Sequence, residues 1–389
     1  MKTLSHAKVT HALYVVSIMS MCTPALFAYP PDNAAVLYYQ ASLTYDANYP
    51  MLDKVTQFIR GDIGVDEEIE AYVRRNARAI KQFVDAGASP QCDWGIDYSE
   101  GLDVMMPQYA PLRNIAKIVL AEARIAGEAG DYARALDLCL AVHKAGVHIA
   151  DGGIIISHLV AISLNEMANQ CLTQLIPHVR DAPDLLVELR SLILDVSGGI
   201  PSVKTAINRD LHVFGGDLRR ERVGYILEMV TDFGITAERA RIIRQADEAF
   251  FNANRQYFMG HLAAVLAACD LPYPQSYERL VALGEEPALE SKTNPDAILA
   301  AVLAPAVDKI VCLDLKARTH FNAVGTALNL YLVRARTGRL PETLPEGMPK
   351  DLFSGKDFEY ERDAAGFVLR CQAKDLAKDQ TYEYRFTFK

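Results

Sequence analysis

The sequence contains none of the local signatures that mark the common hydrolases and nucleotide-dependent enzymes. It has no Gly-x-Ser-x-Gly elbow, no His-Glu-x-x-His, no phosphate loop and no dinucleotide fingerprint. Those classes lose weight, while catalysis by residues scattered along the chain stays open, because a triad is defined in space and not by local spacing. A proline-rich, Gly/Ser-rich or charge-run linker is also missing, so nothing divides the chain into separately tethered units. Positive charge is in deficit: 40 Lys and Arg stand against 49 Asp and Glu, a formal charge of −9. With no basic face interleaved with aromatics, the acidic surface repels phosphate backbones, and nucleic acid is not an expected partner. Tryptophan occurs once among 389 residues.

What is present begins with an address. Lys2 and Lys8 head the chain, Ala12 to Met21 form a mostly apolar stretch, and Ala25-Leu26-Phe27-Ala28 offers small residues for cleavage. That pattern reads as a secretory signal peptide over residues 1–28, cut after Ala28 and leaving Tyr29-Pro30-Pro31 at the new N-terminus. The alternatives are an uncleaved anchor and a loosely packed N-terminal tail. Ser17 and Ser20 interrupt the apolar core, which falls short of the roughly 20 residues that cross a bilayer, so no stable membrane span is expected once the leader is gone. A lipoprotein would need Cys22 as the acylated residue, but Met21 stands where a small residue belongs. Export to the periplasm or the extracellular space is the expectation. Losing Lys2 and Lys8, and no acid, takes the formal charge from −9 to −11.

Six cysteines remain after the leader: Cys92, Cys139, Cys171, Cys269, Cys312 and Cys371. An even count in an exported chain permits three disulfides, and the spacing specifies no pairing. Cys139, Cys171, Cys269 and Cys312 lie among Ala, Leu and Val, where free cysteine packs as a small apolar residue.

Helical periodicity dominates the body. Leu112, Ile115, Ala116, Val119, Ala123 and Ala126 fall on one helix face, with Pro111 before it and Gly127 and Gly130 at its end. Asp131-Tyr132 opens a second helix, making a helical hairpin. Further helices are expected over Asn33 to Asp46, Asp66 to Phe83, Ile154 to Leu175, Pro183 to Val196, Val203 to Met229 with a break near Gly215-Gly216, and Ala237 to Cys269. Gly87 to Pro111 and Asp270 to Pro295 read as long loops within the helical body. A helix over Asn322 to Arg336 ends at Gly338, and after it the period changes to two. Phe358 to Glu361 and Phe367 to Cys371 form a hairpin, and Tyr382 to Phe388 alternates as a third strand. The expected fold is mainly α: a multi-helix bundle of helical hairpins over 29–320, followed by a small α+β module over 321–389, one helix plus a three-stranded antiparallel sheet.

Three resemblances accompany these residues. Ala126-Gly127-Glu128-Ala129-Gly130-Asp131-Tyr132-Ala133-Arg134-Ala135-Leu136 resembles the inter-helix turn of a tetratricopeptide repeat, which implies close packing of one hairpin. No second copy follows at a period near 34 residues, so no repeat array is implied. Gly338, Pro341 and Leu344, followed by Pro349, Asp351 and Gly355, resemble the turn and loop of the globular head of type II secretion major pseudopilins. Leu352 stands where a second proline is usual there, and the prepilin leader and assembly helix find no counterpart. The likeness implies a small α+β module and no role in a pilus-like fibre. Taken whole, Asn33-Ala34-Ala35, Leu112-Arg113 and this closing module resemble an uncharacterised family of exported bacterial helical proteins, which implies an address and an architecture but no activity.

The most site-like stretch is Cys92 to Asp103, which holds the tryptophan and four carboxylates; its candidate binding residues are Asp93, Trp94, Asp97 and Glu100. Hard cations need several converging oxygens, but the EF-hand pattern is not met, and a solvated acidic loop pinned by Trp94 accounts for the composition equally well. Arg219, Arg220 and Arg222 follow Gly215-Gly216, with His212 and Tyr225 about a turn away, and such a cluster can clamp a carboxylate or phosphate. A solvated helix face after a glycine break is the competing explanation. Cys139 and His143 share a helix face, with His148 or Cys171 as further ligands, but two ligands make no zinc site and core packing explains them. His158, inside an apolar stretch, is expected as a hydrogen-bonded core residue. No catalytic residue, metal or cofactor is assigned. The leading expectation is a non-catalytic scaffold or binding protein of the cell envelope, its partner an unidentified protein or envelope component. The rival is an exported hydrolase that uses the arginine cluster or the acidic loop.

Overall fold

Short polar side chains set where the helices begin. In the computed structural model, which describes residues 32–232, 235–304 and 306–387, the Asn33 side chain accepts the amide of Ala35 and opens α1 (Ala34–Thr44). The leader, residues 1–28, lies outside the described residues. Asn48 caps α2 (Tyr49–Arg60), and Asp66 caps α3 (Glu67–Arg75), whose first turn carries Glu67, Glu68 and Glu70 and whose last carries Arg74 and Arg75, as the helix dipole favours. Asn76 then breaks the helix expected over Asp66 to Phe83. Its amide donates to the Tyr72 carbonyl while its oxygen accepts the Asp46 amide at 2.8 Å, and α4 (Ala77–Gly87) starts afresh.

After an irregular stretch containing one 3-10 segment (Tyr98–Asp103), α5 (Tyr109–Glu128) and α6 (Tyr132–Ala150) form the expected hairpin, the second helix capped by Asp131. Next come α7 (Ile155–Leu175), α8 (Pro183–Gly199) and α9 (Val203–Gly215). Past Gly216 and a 3-10 turn at Arg220–Arg222 lies α10 (Val223–Asp232). The helix expected over Ala237 to Cys269 is two, α11 (Ala237–Gln245) and α12 (Glu248–Ala268), because Asp247 turns back to cap Phe250. The expected loop Asp270 to Pro295 instead holds α13 (Gln275–Glu290), which buries Leu280, Leu283 and Pro287. After the single turn α14 (Ala300–Leu303), α15 (Val307–Thr337) runs without interruption through residue 321, starting well before the expected Asn322 and stopping on Gly338 in the left-handed region at φ +78°.

The closing sheet is β1 (Glu359–Arg362), β2 (Gly366–Arg370) and β3 (Glu383–Thr387), antiparallel in the order β1-β2-β3. Its register sets Tyr360 opposite Leu369, and Phe367 opposite Phe386. The architecture is thus mainly α with a small C-terminal three-stranded antiparallel sheet. One large core joins α1 through α8 to the second half of α15 and to the sheet, through residues such as Phe83, Leu136, Leu172, Tyr331, Phe367 and Phe386. Two smaller clusters lie apart, one around Ile207, Val265 and Ile310, the other around Ile243, Phe251 and Leu262. All six described cysteines are free thiols, so no disulfide joins them. Among the described residues no helix is long and apolar enough to cross a membrane.

Candidate functional site

The acidic loop is fastened from below. Asn33 reaches across 60 positions, its oxygen accepting the Asp93 amide at 2.9 Å and its amide donating to the Asp93 carbonyl at 2.9 Å. Trp94 is buried, stacks on Tyr38 with ring centroids 5.4 Å apart, and donates its indole N–H to the His148 carbonyl at 2.8 Å. The carboxylates of the loop serve its own turns. Asp93 accepts the Gly95 amide at 2.9 Å, and Asp97 accepts both the amide and the hydroxyl of Ser99, bonds that hold its carboxyl below the usual range. Glu100 is exposed. Among the described residues no three His, Cys, Asp or Glu side chains are grouped to hold a metal ion, and this includes the Cys139–His143 face.

The arginine cluster meets the far end of that loop. Arg222 pairs with Asp103 and, through Nε, lies 3.1 Å from Asp217, while Arg219 reaches the other Asp217 oxygen at 3.1 Å. Arg220 donates to the Ala246 carbonyl. Gly101 makes the junction possible: it has φ +61°, and a Cβ there would sit 2.4 Å from Asp217 Oδ2. The two stretches singled out by composition are therefore one structural joint, Asp103–Arg222–Asp217–Arg219, in which the guanidinium charge is already answered by carboxylates.

Two buried histidine–carboxylate pairs lie inside the bundle. His158 Nε2 on α7 is 2.9 Å from Asp314 Oδ1 on α15, both buried, and Arg318 approaches the other Asp314 oxygen at 3.6 Å. Hydrogen bonding of His158 in the core is as its apolar surroundings require. His143 Nδ1 lies 3.2 Å from Asn165 Oδ1, and burial pushes its pKa down to about 4, so the ring is neutral. Both rings line a cavity of about 10 Å3, room for about one water. His143 Nε2 and His158 Nδ1 have no hydrogen-bond partner among the described residues. A second pair, His320 with Glu166 at 3.2 Å, is completed by the Thr173 hydroxyl on the other ring nitrogen at 2.9 Å. Burial raises the Glu166 pKa, but His320 and Lys316 outweigh it and leave the carboxyl below its ordinary value. The Tyr384 ring of β3 stacks on His320 at 4.6 Å, so this pair also seats the sheet. Asp314, Glu166, Asn165 and His320 escaped the sequence reading because their partners lie 22 to 156 positions away.

Open concavities lie elsewhere: about 400 Å3 around Gly87 to Pro90, Lys144 and His148, about 310 Å3 between α8, α15 and Gly347 to Lys350, and about 270 Å3 between α2, α5 and α7. Comparison with known proteins finds no matching family model, no similar curated protein and no similar solved structure.

Proposed function

We propose that the protein is a non-catalytic helical binding protein of the cell envelope, exported by its N-terminal leader to the periplasm or the extracellular space. The observation that carries the reading is where the acid–base groups lie. The His158–Asp314 pair surrounds a cavity with room for a water and not for a substrate, whereas the concavities of ligand size open on the surface between helices. A ligand therefore meets helical faces, and Glu166, which lines one of these concavities, is already held by His320, Lys316 and Gln170. The acidic formal charge of −9 argues against nucleic acid and points to a protein or other envelope component as partner. The likenesses of one hairpin to a tetratricopeptide turn and of the closing module to a pseudopilin head contribute packing style alone.

The rival hydrolase reading gives the test. An imidazole held by a carboxylate at one nitrogen and unpartnered at the other is the arrangement a general base uses. The full-length mature protein, offered chromogenic ester, phosphate and peptide substrates, is expected to turn over none above background, and His158→Gln is expected to lower the melting temperature. Turnover that His158→Gln abolishes while the fold persists would make the protein an enzyme.

A further inference from the structure

The concavity between α2, α5 and α7 gathers three cations and one carboxylate, Glu166, in a molecule whose formal charge is −9. Arg60 from α2, and Arg113 and Lys117 from α5, line about 270 Å3 of open space. None of the three makes an ion pair among the described residues, although the next cation along α5, Arg124, reaches the Phe58 carbonyl and Glu128. Arg113 and Lys117 stand four apart on one helix face, a like-charge spacing that costs helix stability in water. Burial, then Arg113, then Arg60 push the Lys117 pKa below its ordinary value. Of the nearby acids, Asp53 favours the charged ammonium, and Glu166 on the opposite wall is already engaged by His320, Lys316 and Gln170.

From this cluster we propose that the pocket of Arg60, Arg113 and Lys117 is a binding site for a small phosphate monoester. Two guanidinium groups and an ammonium match a dianion better than a single carboxylate, and arginine's planar fork pairs with phosphate oxygens two at a time. Ser163 on α7 supplies a hydroxyl, the Thr56 hydroxyl on α2 being already donated to the Leu52 carbonyl, and Ile59, Leu120 and Met167 offer apolar surface for a short organic body. A volume of about 270 Å3 suits a phosphate with a few carbons attached and is too small for a nucleotide with its base. The bound dianion would neutralise three cations that line one opening without an ion pair among the described residues.

This inference deepens the binding-protein reading and rests on it, and one set of titrations separates the two. Glycerol 3-phosphate, inorganic phosphate and uncharged glycerol are titrated calorimetrically into the full mature chain in about 50 mM salt, where surface charges are only partly screened. Glycerol 3-phosphate is expected to bind at one site and glycerol not at all. Arg113→Gln with Lys117→Gln is expected to weaken it by at least about tenfold, because charge-assisted bonds carry the recognition. The same pair should raise the melting temperature of the unliganded protein, since a repulsion is removed. A control of equal charge, Arg74→Gln with Lys81→Gln, should leave affinity within about twofold. Flotation with phosphatidylcholine vesicles carrying phosphatidic acid distinguishes a lipid headgroup from a soluble ester as the source of the phosphate. Equal weakening by both variant pairs, or no saturable binding of any phosphate probe, overturns the site and leaves the binding-protein reading standing. Release of inorganic phosphate from the probe overturns that reading and leaves the site.

Discussion

Asp210 on α9 accepts the amide of Ile155 at 3.0 Å and so closes the first turn of α7 from a neighbouring helix. Burial raises its pKa to about 7, with the Ile155 amide offsetting only part of the effect. An aspartate in the unfolded chain ionises near 3.8. Between those values the folded chain holds the proton that the unfolded chain has lost, so this group makes stability fall as pH rises through the window. His143 acts in the opposite sense: its pKa of about 4 against an ordinary 6.5 costs stability as pH falls through that range, so the two groups partly cancel in the whole protein. The difference between Asp210→Asn and the parent isolates the carboxylate, since the amide oxygen can still accept from Ile155. The variant is expected to be more stable by about 4 kcal/mol near pH 8, with the gain shrinking toward zero near pH 4. Urea unfolding across that range measures it, and a difference that stays flat with pH would mean the carboxyl is not held protonated. None of this was visible in the sequence, where Asp210 sits in an ordinary helical stretch and its partner amide is 55 positions earlier.

Among elements, the closing hairpin was legible because alternation of large apolar residues is a local signal. Phe367 is 1% exposed, stacks on Phe386 at 5.3 Å and touches Tyr331 and Tyr360. Phe367→Ala should cost on the order of 3 kcal/mol by leaving a cavity between sheet and α15. Gly366 is the companion test: at φ +152° a Cβ would lie 2.1 Å from the Phe386 carbonyl oxygen, so Gly366→Ala must part β2 from β3. Thermal unfolding should show both variants weakened, and an unchanged melting temperature for Phe367→Ala would contradict the register. Other boundaries were hidden for identifiable reasons. Asn76 breaks a periodic stretch with a local bond to the Tyr72 carbonyl and a bond from the Asp46 amide, the second a contact of tertiary origin. Pro272, Pro274 and Pro287 masked α13, whose interior Pro287 is buried along with Leu280 and Leu283. Asp308, Lys309, Asp314, Lys316 and Arg318 made the first half of α15 read as polar, although Asp314 is buried on His158 and Cys312 and Ala317 pack inward.

For the molecule as a whole, the large core runs through the helical body, α15 and the sheet without a seam. The closing strands are therefore expected to unfold with the body in one transition and not as a detached module. Export is tested separately: mass spectrometry of the mature protein should place its N-terminus at or near Tyr29, and an intact Met1 in cytoplasmic fractions would defeat the leader reading. By itself the sequence determined the helical class, the caps at Asn33, Asp66 and Asp131 and the three terminal strands, because hydrophobic period, Asn and Asp caps and glycine stops act within a few residues of the chain, while the helix Tyr49–Arg60 and its Asn48 cap went unread. Only tertiary structure decided which charges find partners. Asp103, Asp217 and Arg222 neutralise one another across 119 positions and His158 meets Asp314 across 156, while Arg60, Arg113 and Lys117 line one opening and make no ion pair among the described residues. Coulomb and hydrogen-bond partners depend on distance in space, and no local spacing encodes a contact between helices that the fold alone brings together.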